Sequence, residues 1–452
     1  MTYADLLARK RQDDSEYGFE PSWLPSFLFP FQSAMVEWAT RKGHAAMFED
    51  CGLGKTPQQL VWAENVRLHT GRPVLLVAPL AVTFQTKGEA EKFGIDAAVS
   101  RDGQITAGIT ITNYDRLHLF SPDDVAGVVA DESSAIKSFD SERKDIVTRF
   151  LRKLPYRLLC TATAAPNDYM ELGTSSEALG FLGYQDMLTR FFINDQRSNS
   201  ARHNFSGAQW RFKGHAEVPF WRWVSSWARA MRKPSDLGYS DDGFARPPVE
   251  YRTHLVDASR PAEGRLFDVP AIRLPEEREE SHRTLNERCE KVADLLSDAD
   301  TAVAWCHLNS ESDLLTKLID GAEQVKGSDS PDDKEARLLA FSRGDVKVLV
   351  TKPAIGAWGM NWQHCHRTAY FPSHSYEQFY QSIRRFDRYG QANPVTVDVV
   401  TTEGGRKVLA NLQRKAEQAD RMFASLVEHM SEAMTIARSD TYTEEVLVPS
   451  WL

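Results

Sequence analysis

Short runs of contiguous apolar residues recur along the chain, and stretches with helical spacing lie between them. The runs include Ala45 to Phe48 and positions 74 to 79, 109 to 114, 127 to 132 and 156 to 161. Runs of this length without polar alternation predict strands buried on both faces, as in a parallel sheet. Strand–helix alternation of this kind predicts an α/β doubly wound lobe. From about 175 to 250 the rhythm breaks. A segment from 235 to 285, rich in Pro, Gly and charge, reads as a crossing, with a helix starting near Glu276. The rhythm then restarts, with strands predicted at 301 to 306, 345 to 351, 367 to 371 and 395 to 400. Helices are predicted at 312 to 319 and 375 to 386, and a long amphipathic one at about 405 to 437. The expected organisation is a tail at 1–20, a first lobe at 21–250 and a second lobe at 251–452. A helical insertion is expected in the first lobe at about 175–235.

With 452 residues the chain has room for two or three cores. Its net charge of −9 argues against non-specific coating of nucleic acid while leaving room for a local basic groove. The insertion is such a place. Arg190, Arg197, Arg202, Arg211, Lys213, Arg222, Arg229, Arg232 and Lys233 lie there with Trp210, Trp221, Trp223 and Trp227. Two readings stand: a surface that contacts a nucleic-acid backbone and stacks on bases, or a Trp core under a solvated basic face. The five cysteines form no Cys-x-x-Cys pair, which predicts neither a disulfide framework nor a zinc ribbon and fits a reducing, cytoplasmic setting. In His364-Cys365-His366, neighbours on a strand point to opposite faces, so a structural role is expected. No run of about 20 apolar residues predicts a membrane span.

Chemistry enters at Gly52-Leu53-Gly54-Lys55-Thr56, between a predicted strand and a predicted helix. Glycines let a loop point its N–H groups at phosphate, Lys55 supplies charge, and the Thr56 hydroxyl suits Mg²⁺. Glu49 stands where a fuller form of the motif has Gly. Asp131-Glu132 ends a buried strand, where α/β sheets place ligand-binding groups. Asp131 suits the metal and Glu132 an attacking water. Arg385 and Arg388 are three apart, hence on one helix face; they serve either as fingers to a γ-phosphate or as a basic surface. Upstream, an aromatic cluster ends in Gln32, whose amide suits an adenine edge; a hydrophobic lead-in is the other reading.

Taken together and in order, these residues resemble the superfamily 2 nucleic-acid-dependent ATPases, closest to the Swi/Snf-type branch and its compact phage and prophage helicases. The resemblance runs from about Leu28 to Val400. Leu28 to Gln32 is similar to the glutamine motif, Gly52 to Thr56 to motif I, Pro79 and its neighbours to motif Ia, and Thr112 to Tyr114 to motif Ib. Asp131 to Lys137 resembles the Asp-Glu box, Thr161 to Thr163 motif III, Gly356 to Trp362 motif V, and Gln381 to Gln391 motif VI. Three departures stand out: Ser134 where many relatives have His, Ala357 where a second Gly is usual, and Phe29 in place of Arg.

The resemblance implies two tandem RecA-like lobes that bind ATP and Mg²⁺ between them. Nucleotide contacts are expected from Gln32, Gly52, Gly54, Lys55, Thr56, Gly359 and Gln381, catalysis from Lys55, Asp131, Glu132, Arg385 and Arg388, and Mg²⁺ binding from Thr56 and Asp131. Nucleic-acid contact or coupling is expected from Pro79, Thr112, Tyr114, Thr161, Thr163, Asn361 and Trp362. The implied activity is that of a monomeric ATP-dependent DNA helicase or translocase without strong sequence specificity. The alternatives are a duplex translocase that leaves strands paired, an ATP-gated clamp, or a motor subunit working with replication, repair or defence proteins.

Overall fold

The computed structural model describes residues 17–137, 141–165, 168–194, 210–257, 274–357 and 360–439, which form two α/β lobes in tandem. The first contains α1 (Pro30–Lys42), β1 (His44–Glu49), α2 (Lys55–Thr70), β2 (Val74–Ala78), α3 (Thr83–Lys92), β3 (Ala97–Val99), β4 (Ile109–Asn113), β5 (Gly127–Asp131), α4 (Glu142–Leu151) and β6 (Tyr156–Thr161). It continues through α5 (Leu172–Leu179), α6 (Tyr184–Phe191), β7 (Phe192–Asn194), β8 (Trp210–Phe212), α7 (Glu217–Ser225) and β9 (Ala228–Met231). Seven strands form one parallel sheet in the order β3-β4-β2-β5-β6-β1-β9. Strands β1, β2, β4 and β5 are buried along nearly their whole length; β2 is wholly apolar, whereas β4 alternates Ile with buried Thr.

The second lobe contains β10 (Val249–Val256), α8 (Leu274–Arg283), α9 (Leu285–Leu296), β11 (Ala302–Trp305), α10 (Asn309–Leu318), β12 (Ala322–Val325), α11 (Pro331–Arg343) and β13 (Val348–Thr351). Then follow α12 (Pro353–Gly356), β14 (Arg367–Tyr370), α13 (Tyr376–Ile383), β15 (Val395–Thr402) and α14 (Arg406–Ser439). Its six strands are also all parallel, in the order β10-β15-β14-β11-β13-β12. The two parallel sheets with their flanking helices have the architecture expected of tandem RecA-like lobes.

Four short or edge strands differ from the sequence-based expectation. β9 lies inside the expected insertion yet pairs with β1 as the sheet's outer strand. β10 lies inside the expected crossing and forms the outer strand of the second sheet. Its residues are largely exposed, so it lacks the unbroken apolar pattern. β3 and β12 are three and four residues long, too short to carry a period. The insertion itself is not purely helical, because β7 and β8 pair as an antiparallel ribbon.

The tryptophans of the insertion are core. Trp221 and Trp227 are 1% and 0% exposed, and Trp223 is buried with them. They interleave with Phe220, Phe191 and Phe48. Base stacking by these three side chains is thereby ruled out, and the reading as a Trp core holds. Exposed Arg190, Arg211 and Arg222 lie outside it. Arg197 and Arg202 lie outside the described residues.

Two terminal segments tie the molecule together. The N–H groups of Tyr17, Gly18 and Phe19 donate to the carbonyls of Lys42, Arg41 and Thr40, which satisfies the end of α1. Helix α14 starts in the second lobe, where Leu412 and Ala419 join its core. It then crosses to the first lobe, where Met422, Phe423 and Leu426 join the Trp cluster. Among the described residues no helix is long and apolar enough to cross a membrane.

Candidate active site

The carboxyl ends of β1, β6 and β5 are neighbours in the first sheet. The loop after β1 therefore stands beside the residues that end β5, with the end of β6 between them. Gly52 and Gly54 adopt left-handed φ of 90° and 75°, which side-chain-bearing residues resist. A Cβ on Gly54 would come within 2.4 Å of the Gln32 amide. Lys55 begins α2, and its ammonium donates to the carbonyls of Glu49 (2.9 Å) and Asp50 (3.2 Å). Burial opposes its charge, but nearby Cys51, Glu132, Glu49 and Asp131 hold its pKa above the ordinary value.

At the end of β5, Asp131 accepts a 2.7 Å hydrogen bond from Gln59, one turn along α2 from Lys55. Its own carbonyl accepts from the Tyr114 hydroxyl at 2.6 Å. Burial and the adjacent Glu132 raise the Asp131 carboxyl to about 6. Glu132 has φ 49° and ψ 53°, and among the described residues no other non-glycine has a positive φ. This left-handed turn costs on the order of 1–3 kcal/mol. The Thr161 hydroxyl at the end of β6 donates to Glu132 at 3.1 Å.

The second lobe faces this group with the segment after α13. Arg385 donates to the Gln381 carbonyl (3.1 Å), the Gln381 side-chain oxygen (3.1 Å) and the Met360 carbonyl (2.9 Å). Arg388 donates to the Met360 carbonyl at 3.1 Å. Burial and Arg388 lower the Arg385 guanidinium to about 10. A cleft of about 250 Å³ is lined by Gly52, Gly54, Lys55, Thr56, Asp131 and Glu132 from one lobe and by Asn361, Arg385 and Arg388 from the other.

Several expected contacts lie elsewhere. Gln32 is buried, and its amide is engaged by the Phe29 N–H and the Leu53 carbonyl, so it braces the loop after β1. Gln381 is 0% exposed, so the expected direct nucleotide contact is replaced by support of Arg385. Trp362 is also 0% exposed, packed in the second lobe's core with its indole N–H on Ser342, so it cannot reach a nucleic acid. Thr112 is buried and donates to the Ser100 carbonyl, which removes it as a strand contact. Thr163 is buried behind Thr161, to whose hydroxyl its N–H donates. Asn361 is exposed and lines the cleft. Pro79, Tyr114, Glu132 and Ser134 line a second cavity of about 560 Å³, which also touches Lys137, Arg143 and Glu377. Gly359 lies outside the described residues.

Sequence reasoning missed the polar network that joins the lobes. Asp50 accepts from Arg384 (2.9 Å) and Arg246 (3.1 Å) and from the Tyr380 hydroxyl. Asp387 pairs with Arg246 at 3.4 Å and with Arg384. Lys137, just beyond the Asp131-Glu132 pair, forms a further ion pair with Glu377 on α13. Burial alone would raise Asp50, but Arg384, Arg246 and Tyr380 outweigh it and hold the carboxyl at about 2.

The donor set fits a hard divalent ion. Thr56 and Asp131 both line the cleft, and oxygen donors with space for phosphate oxygens and water suit Mg²⁺. Among the described residues no three His, Cys, Asp or Glu side chains gather to hold a metal unaided, so the remaining ligands would come from phosphate and water.

No protein-family profile matches the chain, and no curated protein matches it in sequence. Among solved structures, it is similar to the Sulfolobus solfataricus SWI2/SNF2 ATPase core in complex with double-stranded DNA. The match has 16% identity and a TM-score of 0.42, over 93% of this chain and 98% of that one.

Proposed function

We propose that this chain is a DNA-stimulated ATPase that closes two lobes on ATP and couples hydrolysis to movement along DNA. The observation that carries the reading is the opposed arrangement in one cleft: Lys55, Thr56, Asp131 and Glu132 on one side, Arg385 and Arg388 on the other. In this reading the loop N–H groups and Lys55 hold the β- and γ-phosphates. Thr56 and Asp131 hold Mg²⁺, which when bound neutralises phosphate charge. Glu132 orients a water and accepts its proton, while Arg385 and Arg388 stabilise charge on the transferred phosphoryl group.

Glu132 lines both the nucleotide cleft and the second cavity. That shared wall supports a route by which an occupant of the second cavity alters the catalytic carboxylate. We assign a DNA strand to that cavity through backbone contacts, with little sequence preference. The resemblance of the motifs to the Swi/Snf-type branch favours DNA over RNA.

Phosphate release measured without nucleic acid and with single-stranded DNA, duplex DNA or RNA tests the proposal, with Lys55→Ala as control. DNA should stimulate the rate and Lys55→Ala abolish it. Absence of hydrolysis under every condition would overturn the reading. Strand release from a forked substrate marks a helicase, and third-strand displacement from a triplex without fork opening marks a duplex translocase.

A further inference from the structure

Helix α13 ends at Ile383, so Arg385 and Arg388 lie in the turns that follow it rather than on one helix face, and the helix and its C-cap are attached to the first lobe at two points. Near its start, Glu377 pairs with Lys137. Near its end, Tyr380 and Arg384 both reach Asp50. One attachment lies beyond Glu132 in the chain and the other at the root of the phosphate loop.

We propose that Asp50, Arg246, Arg384 and Asp387 form a positioning clamp that sets the register of Arg385 and Arg388 over the phosphate loop, with Lys137 and Glu377 as its second point. This inference rests on the ATPase reading of the cleft. Three observations carry it. Asp50 is tied to the loop on its own side: its carboxylate accepts the Cys51 N–H at 2.7 Å, and its carbonyl is one of the two that hold Lys55. Arg384 and Asp387 are the chain neighbours of Arg385 and Arg388, so a shift in either is passed directly to a finger. The four ionic groups comprise two carboxylates and two guanidiniums with no net charge, and Asp50 is 1% exposed.

Removing one member of such a group strands a buried charge, which is far less favourable than having the whole set made or the whole set hydrated. The clamp therefore has two states, joined and parted. Lobe separation moves the fingers and breaks the ion pairs together.

The test combines lobe distance with kinetics. Cysteines placed at exposed Leu68 and Leu318 carry a dye pair, and the five native cysteines are buried. Energy transfer without nucleotide should be high in the parent protein and fall in Arg384→Gln. In the same variant kcat should drop about 10²-fold, as for a displaced catalytic group, while the Kd of a fluorescent ATP analogue changes less than about 3-fold. Arg384→Lys should restore part of both. If Arg384→Gln does not fold, Asp50→Asn/Arg384→Gln, which removes one charge of each sign, replaces it. Unchanged transfer overturns the clamp. Changed transfer with unchanged kcat overturns its positioning role. If the parent protein hydrolyses no ATP, the catalytic reading fails while the transfer measurement still decides the clamp.

Discussion

The Thr161 hydroxyl donates a 3.1 Å hydrogen bond to the Glu132 carboxylate, joining the end of β6 to the residue proposed to activate water. β6 lies between β1 and β5, so this contact follows from strand order. Replacing Glu132 with Gln should reduce turnover about 10²–10⁴-fold, the range for losing a positioned acid–base group. ATP binding should persist. Steady-state hydrolysis with a parallel binding titration checks this, and unchanged turnover refutes the assignment.

Gln381 supplies two of the three acceptors of Arg385, one through its carbonyl and one through its side chain. Gln381→Ala removes only the side-chain acceptor. We expect kcat to fall about 10-fold, in line with a charged hydrogen bond worth about 1.5–3 kcal/mol. ATP affinity should stay close to that of the parent. A loss confined to affinity would show that Gln381 acts on the nucleotide after all.

Glu49 lies fully buried under the phosphate loop, where Gln58 donates to one carboxylate oxygen and the other has no hydrogen-bond partner. Burial raises its carboxyl from 4.5 to about 7, against the opposing pull of Lys55 and Gln58. The folded value lies above the unfolded one. Its stabilising contribution is therefore complete below about pH 4.5 and is lost as pH rises through about 7. Glu49→Gln should melt higher relative to the parent at about pH 8 than at about pH 5. Thermal melts at both values decide it, and an equal difference counts against the buried-acid account.

Trp227 packs edge-on to Phe48 of β1 and against Trp223. Trp227→Ala should cost about 3–5 kcal/mol of stability, typical of a large aromatic removed from a core. DNA affinity of the folded fraction should be unaffected. Chemical denaturation together with a DNA titration separates the two effects; a selective loss of DNA binding without loss of stability would refute the purely structural role.

Much of the fold is legible because the central strands are buried on both faces and are therefore rich in apolar residues, although β4 alternates Ile with buried Thr. Outer strands escape this rule. β10 needs no continuous apolar sequence because most of its residues meet solvent. The cleft residues that follow directly from a strand end, Lys55 and Asp131 among them, were legible from local context. Gln59 had a faint signal, its i+4 spacing from Lys55 on one helix face. The partners of Asp50 had none, since Arg246 lies 196 residues away and Tyr380 330 away. Trp362 shows the converse error. A tryptophan within a motif reads as a contact, yet only packing against Trp305, Phe341 and Phe386 reveals it as core.

The path of α14 makes the order of synthesis matter. Met422, Phe423 and Leu426 fill a core whose other members all lie at or before Ala230. At about 5–20 residues per second, the roughly 200 residues between Ala230 and Leu426 take on the order of 10–40 s to emerge. Through that interval the nascent first lobe presents to solvent the apolar surface that α14 will cover. A gene fragment ending after the first sheet should therefore yield aggregates rather than a free domain.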